Sequence, residues 1–380
     1  MPYLPFARPS LDEASIEAVA HVLRSGWITT GPLVARFEAA LSDYFGGRTV
    51  RSFTSATAAL EVALQVAGIG PSDEVITTAM SFAATANVIV RVGATPVFVD
   101  VELGTRNIDL DQMEAAITPR TRALMPVHFA GRPVDMDGLY AIAQRHGLRV
   151  IEDAAHAMGA RWGERRIGAF GDMAVFSFHP NKNMTTIEGG ALVMADAEEA
   201  RAAELQRFHG IRRTPEGAID VVAPGGKSNL SDVSAAIGLA QLERIEAFND
   251  QRRTLVARYE ARLADSALAL PAPADAGHCW HLYSPLLPLD TLHLTREGFV
   301  AALHARGIGV GVHYPALHQL SYYRDTHGGA ALSLPNAERI GRETVTLPLF
   351  ADMTEADVDR VCDAVLDVLA QAAPRTGSAA

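Results

Sequence analysis

Apolar positions recur at helical spacing near the start of the chain and in short unbroken runs from about residue 50. Ser10 and Glu13 read as a capping box, Ile16, Val19, Ala20 and Leu23 as one apolar helix face, and Gly26 as the stop. Residues 26–32 read as a loop that leads into a helix through Leu41. Six apolar runs, at 74–77, 96–100, 123–127, 149–152, 174–178 and 191–194, read as buried strands. Helix-length stretches such as 58–67 and 136–146 separate several of them. Strands alternating with helices predict an α/β fold with a mostly parallel sheet covered on both faces. Such sheets bind ligands in the crevice at the carboxyl ends of their strands. The polar residues just after those runs are therefore the first candidates for chemistry.

Beyond Leu239 the pattern changes. A charge-rich helix is expected over 242–263, a small-residue loop over 271–277, and strand-like pieces at 282–287 and 310–313. This divides the chain into an N-terminal segment with a large domain (1–243) and a smaller C-terminal α/β domain (244–380) reached through the long helix. Repeats and low-complexity blocks are absent. The 380 residues suffice for two domains, and 48% hydrophobic with 20% charged residues is ordinary for a globular enzyme. A formal net charge of −11 argues against nucleic acid as a partner, yet leaves room for one phosphate on backbone amides. Cys279 and Cys362 are far apart and outside any C-x-x-C spacing, which fits a reducing cytoplasm. The first residues lack the pattern of a signal peptide, and no apolar run approaches a membrane span. Residues 372–380 are small and polar and read as frayed.

Three features carry chemistry. Lys182 lies between two strand-like runs, with Pro180 before it and Gly189-Gly190 after it. Alone it reads as a solvated lysine; buried in such a loop it would lose its charge readily, as a Schiff-base nucleophile must. Asp153 follows a buried strand, where an acid is costly unless a cation meets it or it caps a helix. An Asp facing a pyridinium and a lysine forming a Schiff base are the pairing of pyridoxal phosphate (PLP). Ser55, Ala56 and Thr57 open a helix whose free amides would hold a phosphate, although such residues are often plain caps. Ser177 would add a hydroxyl to that phosphate. Phe82 could stack on the ring or belong to the core.

Together these segments resemble the DegT/DnrJ/EryC1/StrS family of PLP-dependent sugar aminotransferases, of fold type I, over nearly the whole chain. The resemblance is carried by SGWITTGP (25–32), TSATAAL (54–60), SDEVITT (72–78), EDAAHAMGA (152–160), SFHPNKNMTTIEGG (177–190), GGKSNLSDVSAAIGLAQL (225–242), WHLY (280–283), VHYPALHQLSYYR (312–324) and LSLPNAE (332–338). It implies that Lys182 is the Schiff-base lysine and proton shuttle, that Asp153 meets the pyridinium nitrogen, and that His156 lies beside the ring. Phe82 is implied to stack on the ring, and Ala56, Thr57 and Ser177 to hold the phosphate. Asn229 is implied to reach the phosphate of a neighbouring subunit, making a homodimer with shared active sites. Thr29, Thr30, Lys227, His313 and His318 are implied to lie near the sugar; for the two histidines a structural role stands equal.

The wording looks closest to the branch that aminates UDP-4-keto-pentose to 4-amino-4-deoxy-L-arabinose for lipid A. It departs from that branch at Phe82, where Trp is usual, at Gly226 and Ser228, where aromatic residues are common, and at Ser321. The implied reaction moves the amino group of L-glutamate, which leaves as 2-oxoglutarate, to a nucleotide-linked keto-sugar. A free keto-sugar or keto-cyclitol is the alternative acceptor. Sugar dehydratases of this fold carry histidine in place of the lysine, so Lys182 disfavours that reading. Gly307-Ile308-Gly309 follows a helix and enters a strand-like piece, the wrong context for a dinucleotide turn. His278-Cys279-Trp280-His281 fits no standard zinc spacing, so no metal is expected.

Overall fold

The computed structural model describes residues 2–274 and 276–374. Its first five strands are β1 (Thr49–Phe53), β2 (Glu74–Thr78), β3 (Thr95–Val99), β4 (Thr121–Met125) and β5 (Arg149–Asp153). A small hairpin follows, β6 (Arg161–Trp162) with β7 (Arg165–Arg166), then β8 (Met173–Ser177) and β9 (Gly190–Met194). A second, exposed hairpin pairs β10 (Ile211–Arg213) with β11 (Ile219–Val221). The main sheet has seven strands in the order β1-β9-β8-β5-β4-β2-β3. Only β9 runs against its neighbours. All six expected strands are present within two residues of their expected ends.

The helices before the long one are α1 (Glu13–Ser25), α2 (Pro32–Tyr44), α3 (Ala56–Val66), α4 (Ala83–Arg91), α5 (Leu110–Ala115), α6 (Met136–His146) and α7 (Ala197–Arg207). Then come α8 (Asp232–Leu263), α9 (Arg296–Ala305), α10 (Ser321–Thr326), α11 (Pro335–Glu343) and α12 (Glu355–Gln371). Alternation along the strands divides the apolar side chains between two faces. Ile76, Leu124, Val150 and Ala174 pack with α2 and α6, while Val75, Ala123, Ile151 and Val175 pack with α3, α4 and α7. Burying such a side chain contributes about 1.5–3 kcal/mol. A further core joins Leu255 and Tyr259 of α8 to Phe299 and Leu303 of α9 and to Val361 and Val365 of α12. None of the described helices is long and apolar enough to cross a membrane.

Four expectations are corrected. The cap of α1 is Asp12, whose carboxylate accepts from the Ser15 amide at 2.9 Å, whereas the Ser10 carbonyl accepts from Gln241 of α8. The Ser10 hydroxyl, which a capping box would use, accepts instead from Arg244 of α8 at 3.1 Å; Ser15 and Val22 face inward, and Ile16 and Leu23 are exposed. The long helix begins at Asp232, ten residues earlier than expected, capped by Ser231. Its first turns are rich in small residues because Phe37 lies close: a Cβ on Gly238 would fall 2.6 Å from that ring. The pieces at 282–287 and 310–313 form only isolated bridges, such as Tyr283 with Leu347 and Gly311 with Thr346. Finally, the Ala373 carbonyl accepts from the His293 amide at 2.8 Å, so the start of the expected frayed end is tied down. The rest of that stretch, 375–380, and residue 275 of the expected loop lie outside the described residues.

Candidate active site

Because β1, β2, β5 and β8 are mutually parallel, their carboxyl ends share one edge of the sheet, and a cavity of about 270 Å3 opens there. Asp153 is the last residue of β5 and Ser177 the last of β8. The Ser55 hydroxyl caps α3 by accepting from the Ala58 amide at 3.1 Å, which leaves the first amides of the helix, at Ala56 and Thr57, on the cavity wall. Gly190 makes this packing possible, since a Cβ there would lie 2.4 Å from the Ala56 nitrogen. Phe82 sits at the start of α4 on the same wall with 60% of its surface exposed, so it is not a core residue.

Lys182 lies on a loop pinned at several points. The Phe178 amide donates to the Gly189 carbonyl at 2.9 Å, and the Thr186 amide donates to the Phe178 carbonyl at 3.0 Å. The Asn183 side chain donates to Asn249 at 2.8 Å and to the Cys279 carbonyl at 2.9 Å. These bonds hold Lys182 under the cavity, where burial lowers its ammonium to about 8 against the opposing pull of Asp153. Asp153 accepts from the Thr85 hydroxyl at 2.7 Å and from the Ala155 amide at 3.1 Å. Burial raises its carboxyl above the ordinary range, opposed by those two bonds and by Lys182. Among the described residues, neither Lys182 nor Asp153 has an ion-pair partner.

His156 is neutral. Burial holds its imidazole well below the usual value, reinforced by the charges of Lys182 and His313. Its Nδ1 accepts from the Ala130 amide at 3.3 Å, so the ring proton is on Nε2 and donates to the Tyr314 hydroxyl at 3.2 Å. Tyr314, which lines the cavity, is thereby left with its own O–H to donate into it. Thr85 and Tyr314 were not legible as site residues: the one looks like a helix residue, the other like part of an apolar segment. A hydroxyl four residues after Ser81, 2.6 Å from it in the structure, was the available signal for Thr85.

The remaining candidates separate into groups. His313 lines the Lys182 cavity, stacks on Phe6 at 5.0 Å and bonds Thr346 through Nδ1 at 2.9 Å, and burial lowers its ring to about 4. His318 does not line that cavity; its ring is buried, with Nε2 3.1 Å from Glu338. Thr30 and Asn229 line a separate cavity of about 510 Å3 with Arg207 and Phe208. The Asn229 amide donates to the Thr30 hydroxyl at 2.5 Å, and the Lys227 ammonium bonds Asn229. Thr29 is exposed beside them. Within one chain, then, this second group does not reach Lys182.

The expected cofactor can be tested against these groups. A half-buried amine, a buried carboxyl without an ion-pair partner, free amides at a helix start and an exposed aromatic face supply what a phosphorylated pyridine aldehyde requires. The residues fit it. Among the described residues no cluster could hold a metal ion. Replacing Thr85 by Val keeps the shape but strips Asp153 of one of its two donors. A loss of about 1–3 kcal/mol corresponds to a fall in kcat of roughly 5- to 150-fold. Steady-state kinetics with unchanged melting temperature would identify this as positioning; unchanged kcat would contradict it.

Comparison with known proteins agrees with this chemistry. The model of the DegT/DnrJ/EryC1/StrS aminotransferase family matches residues 9–366. The PLP form of Spr1654 from Streptococcus pneumoniae is 32% identical, covers 97% of this chain and 99% of its own, and superposes with a TM-score of 0.90. DesV from S. venezuelae is 36% identical, with 97% and 99% coverage and a TM-score of 0.88. PseC from Helicobacter pylori, an aminotransferase of pseudaminic acid biosynthesis, is 29% identical, with 97% and 100% coverage and a TM-score of 0.90. With a family match over nearly its whole length and the fold-type-I architecture in place, the chain belongs to the DegT/DnrJ/EryC1/StrS aminotransferase family and is a sugar aminotransferase dependent on pyridoxal phosphate.

Proposed function

We propose that this enzyme transfers the amino group of L-glutamate to a nucleotide-linked 4-keto-sugar, with UDP-4-keto-pentose the best candidate, in a cytoplasmic homodimer. The observation that carries the reaction is a pair of side chains, half-buried Lys182 and buried Asp153, that share one cavity and, among the described residues, make no ion pair. Within the proposal the amides of Ala56 and Thr57 and the Ser177 hydroxyl hold the phosphate, Phe82 covers the ring, and Asp153 faces the ring nitrogen. When bound, the cofactor supplies an electron sink for the carbon that loses its proton. Lys182 takes up that proton at Nζ and returns it, which suits an amine lowered to about 8. Neutral His156 holds Tyr314, whose O–H is offered to the cavity.

The acceptor assignment rests on the motif wording and on the chemistry around Thr29, Thr30, Lys227 and Asn229. That hydroxyl- and amine-bearing cluster, off the Lys182 cavity, suits contact with a neighbouring subunit's site and with a phosphorylated sugar. Placing the boundary of the two domains near residue 243, within α8, is part of the same reading. His313 lies on the cavity wall, whereas His318 is the weaker candidate for sugar contact. The test is glutamate-dependent amination across UDP-, dTDP- and GDP-keto-sugars, with free keto-sugars and keto-cyclitols alongside. Turnover of a UDP-4-keto-pentose above the others is expected; turnover of free sugars alone would overturn the nucleotide assignment. Mixing inactive Lys182→Ala and Asn229→Ala chains should restore partial activity, and no recovery would count against a shared site.

Titration supplies a further check. Only the neutral amine of Lys182 is a nucleophile. Its value is lowered, so it becomes neutral as pH rises through about 8. Capture of the cofactor by the apoenzyme should therefore accelerate up to about pH 8 and level off above it. A rate still climbing steadily to the ordinary lysine range would contradict a lowered Lys182 ammonium.

A further inference from the structure

A small cavity lies away from Lys182, between the loop after β3, the turn at Phe129–Gly131 and the segment 278–284. Its volume is about 20 Å3, room for a single occupant the size of a water or a halide. Two guanidinium groups line it, Arg106 and Arg132, and among the described residues its wall contains no Asp or Glu. Arg106 is only 4% exposed, its Nε has no hydrogen-bond partner, and among the described residues its side chain makes no ion pair. Arg132 donates only to carbonyl oxygens, those of Ala272 at 3.0 Å and Pro273 at 2.5 Å. The acid in the same loop, Glu102, is exposed and taken by the Thr105 hydroxyl at 2.7 Å. The hydroxyl of Tyr283, the residue between Leu282 and Ser284 of the wall, is also buried and unpartnered.

A buried guanidinium keeps its charge near neutral pH, because even strong desolvation leaves Arg106 at about 10. A buried charge is costly unless an opposite charge or several hydrogen bonds meet it. Water can fill donors but cannot neutralise the buried Arg106 charge, to which the half-buried Arg132 guanidinium on the same wall adds. An anion can do both. We propose that the cavity lined by Arg106 and Arg132 is a binding site for a small monovalent inorganic anion, chloride in the first place. Phosphate and sulfate are too large for it. The bound ion joins the loop after β3 to the 278–284 segment beside the turn whose Ala130 amide fixes His156.

The experiment uses wild-type holoenzyme in sodium chloride and in sodium gluconate at equal ionic strength, together with bromide-soaked crystals examined at the bromine absorption edge. Chloride should raise the melting temperature by about 2 °C or more over gluconate, and a bromide should appear between Arg106 and Arg132. Both results are required. Equal melting in the two salts, or no bromide in the cavity, overturns the proposal. Arg106→Met should melt alike in the two salts, and a persisting chloride response there also overturns it. Should that variant not fold, the two wild-type measurements decide.

Discussion

Lys182→Ala should lose transamination by at least ~10³-fold, together with the visible absorbance of the lysine-bound cofactor, without losing its fold. The chain contains two lysines, and within one chain the other, Lys227, is exposed over the Phe208 ring and does not line the Lys182 cavity. Lys182→Arg should be equally inactive, since a guanidinium fills similar space but cannot be deprotonated at working pH. Lys182→Ala should not lower the melting temperature of the apoenzyme much. Lys182 has no ion pair to lose among the described residues, and removing a half-buried amine relieves desolvation rather than adding to it. A purely structural lysine would show the reverse pattern, a fall in melting temperature with activity retained. Activity and absorbance measured beside thermal unfolding separate the two.

Asp153→Asn is the second large effect. It preserves shape and much of the hydrogen bonding while deleting the charge that faces the ring nitrogen. Breaking a buried charge pair costs about 3–5 kcal/mol, which in the transition state corresponds to a loss of kcat of roughly 10²- to 10⁴-fold. Cofactor binding should weaken but persist, because the Ala56 and Thr57 amides at the start of α3 are untouched. Burial raises the Asp153 carboxyl, and the Thr85 and Ala155 donors only partly counter this. A cationic ring nitrogen beside it would favour its charged form. Wild-type kcat in Asp153→Asn would show that the charge is not used. The smaller loss argued for Thr85→Val should not add to it, since both act through one carboxylate.

Most of the sheet was legible because its strands are buried on both faces and read as apolar runs. The edge strand β1 was not, since Arg51 and Ser52 interrupt its apolar positions. Lys182 and Asp153 were legible for a related reason: each lies at or after the end of such a strand, and strand ends in a parallel sheet converge, whereas the start of α3 was read from its own Ser55, Ala56 and Thr57. What escaped depends on contacts distant in sequence. Thr85 reaches Asp153 across 68 positions, and Tyr314 reaches His156 across 158. The α1 cap was misread because Arg244 takes the Ser10 hydroxyl, a contact 234 positions away. The separation of Asn229 from the Lys182 cavity within one chain is likewise a property of the fold that no local pattern encodes.

The account stands on a covalent link between the cofactor and Lys182. Reduction of the holoenzyme with borohydride, digestion and mass spectrometry read it directly. The predicted result is a reduced phosphopyridoxyl group on the peptide that contains Lys182 and none on the peptide with Lys227. Modification of Lys227 instead, or an active holoenzyme with no modified lysine, would contradict it.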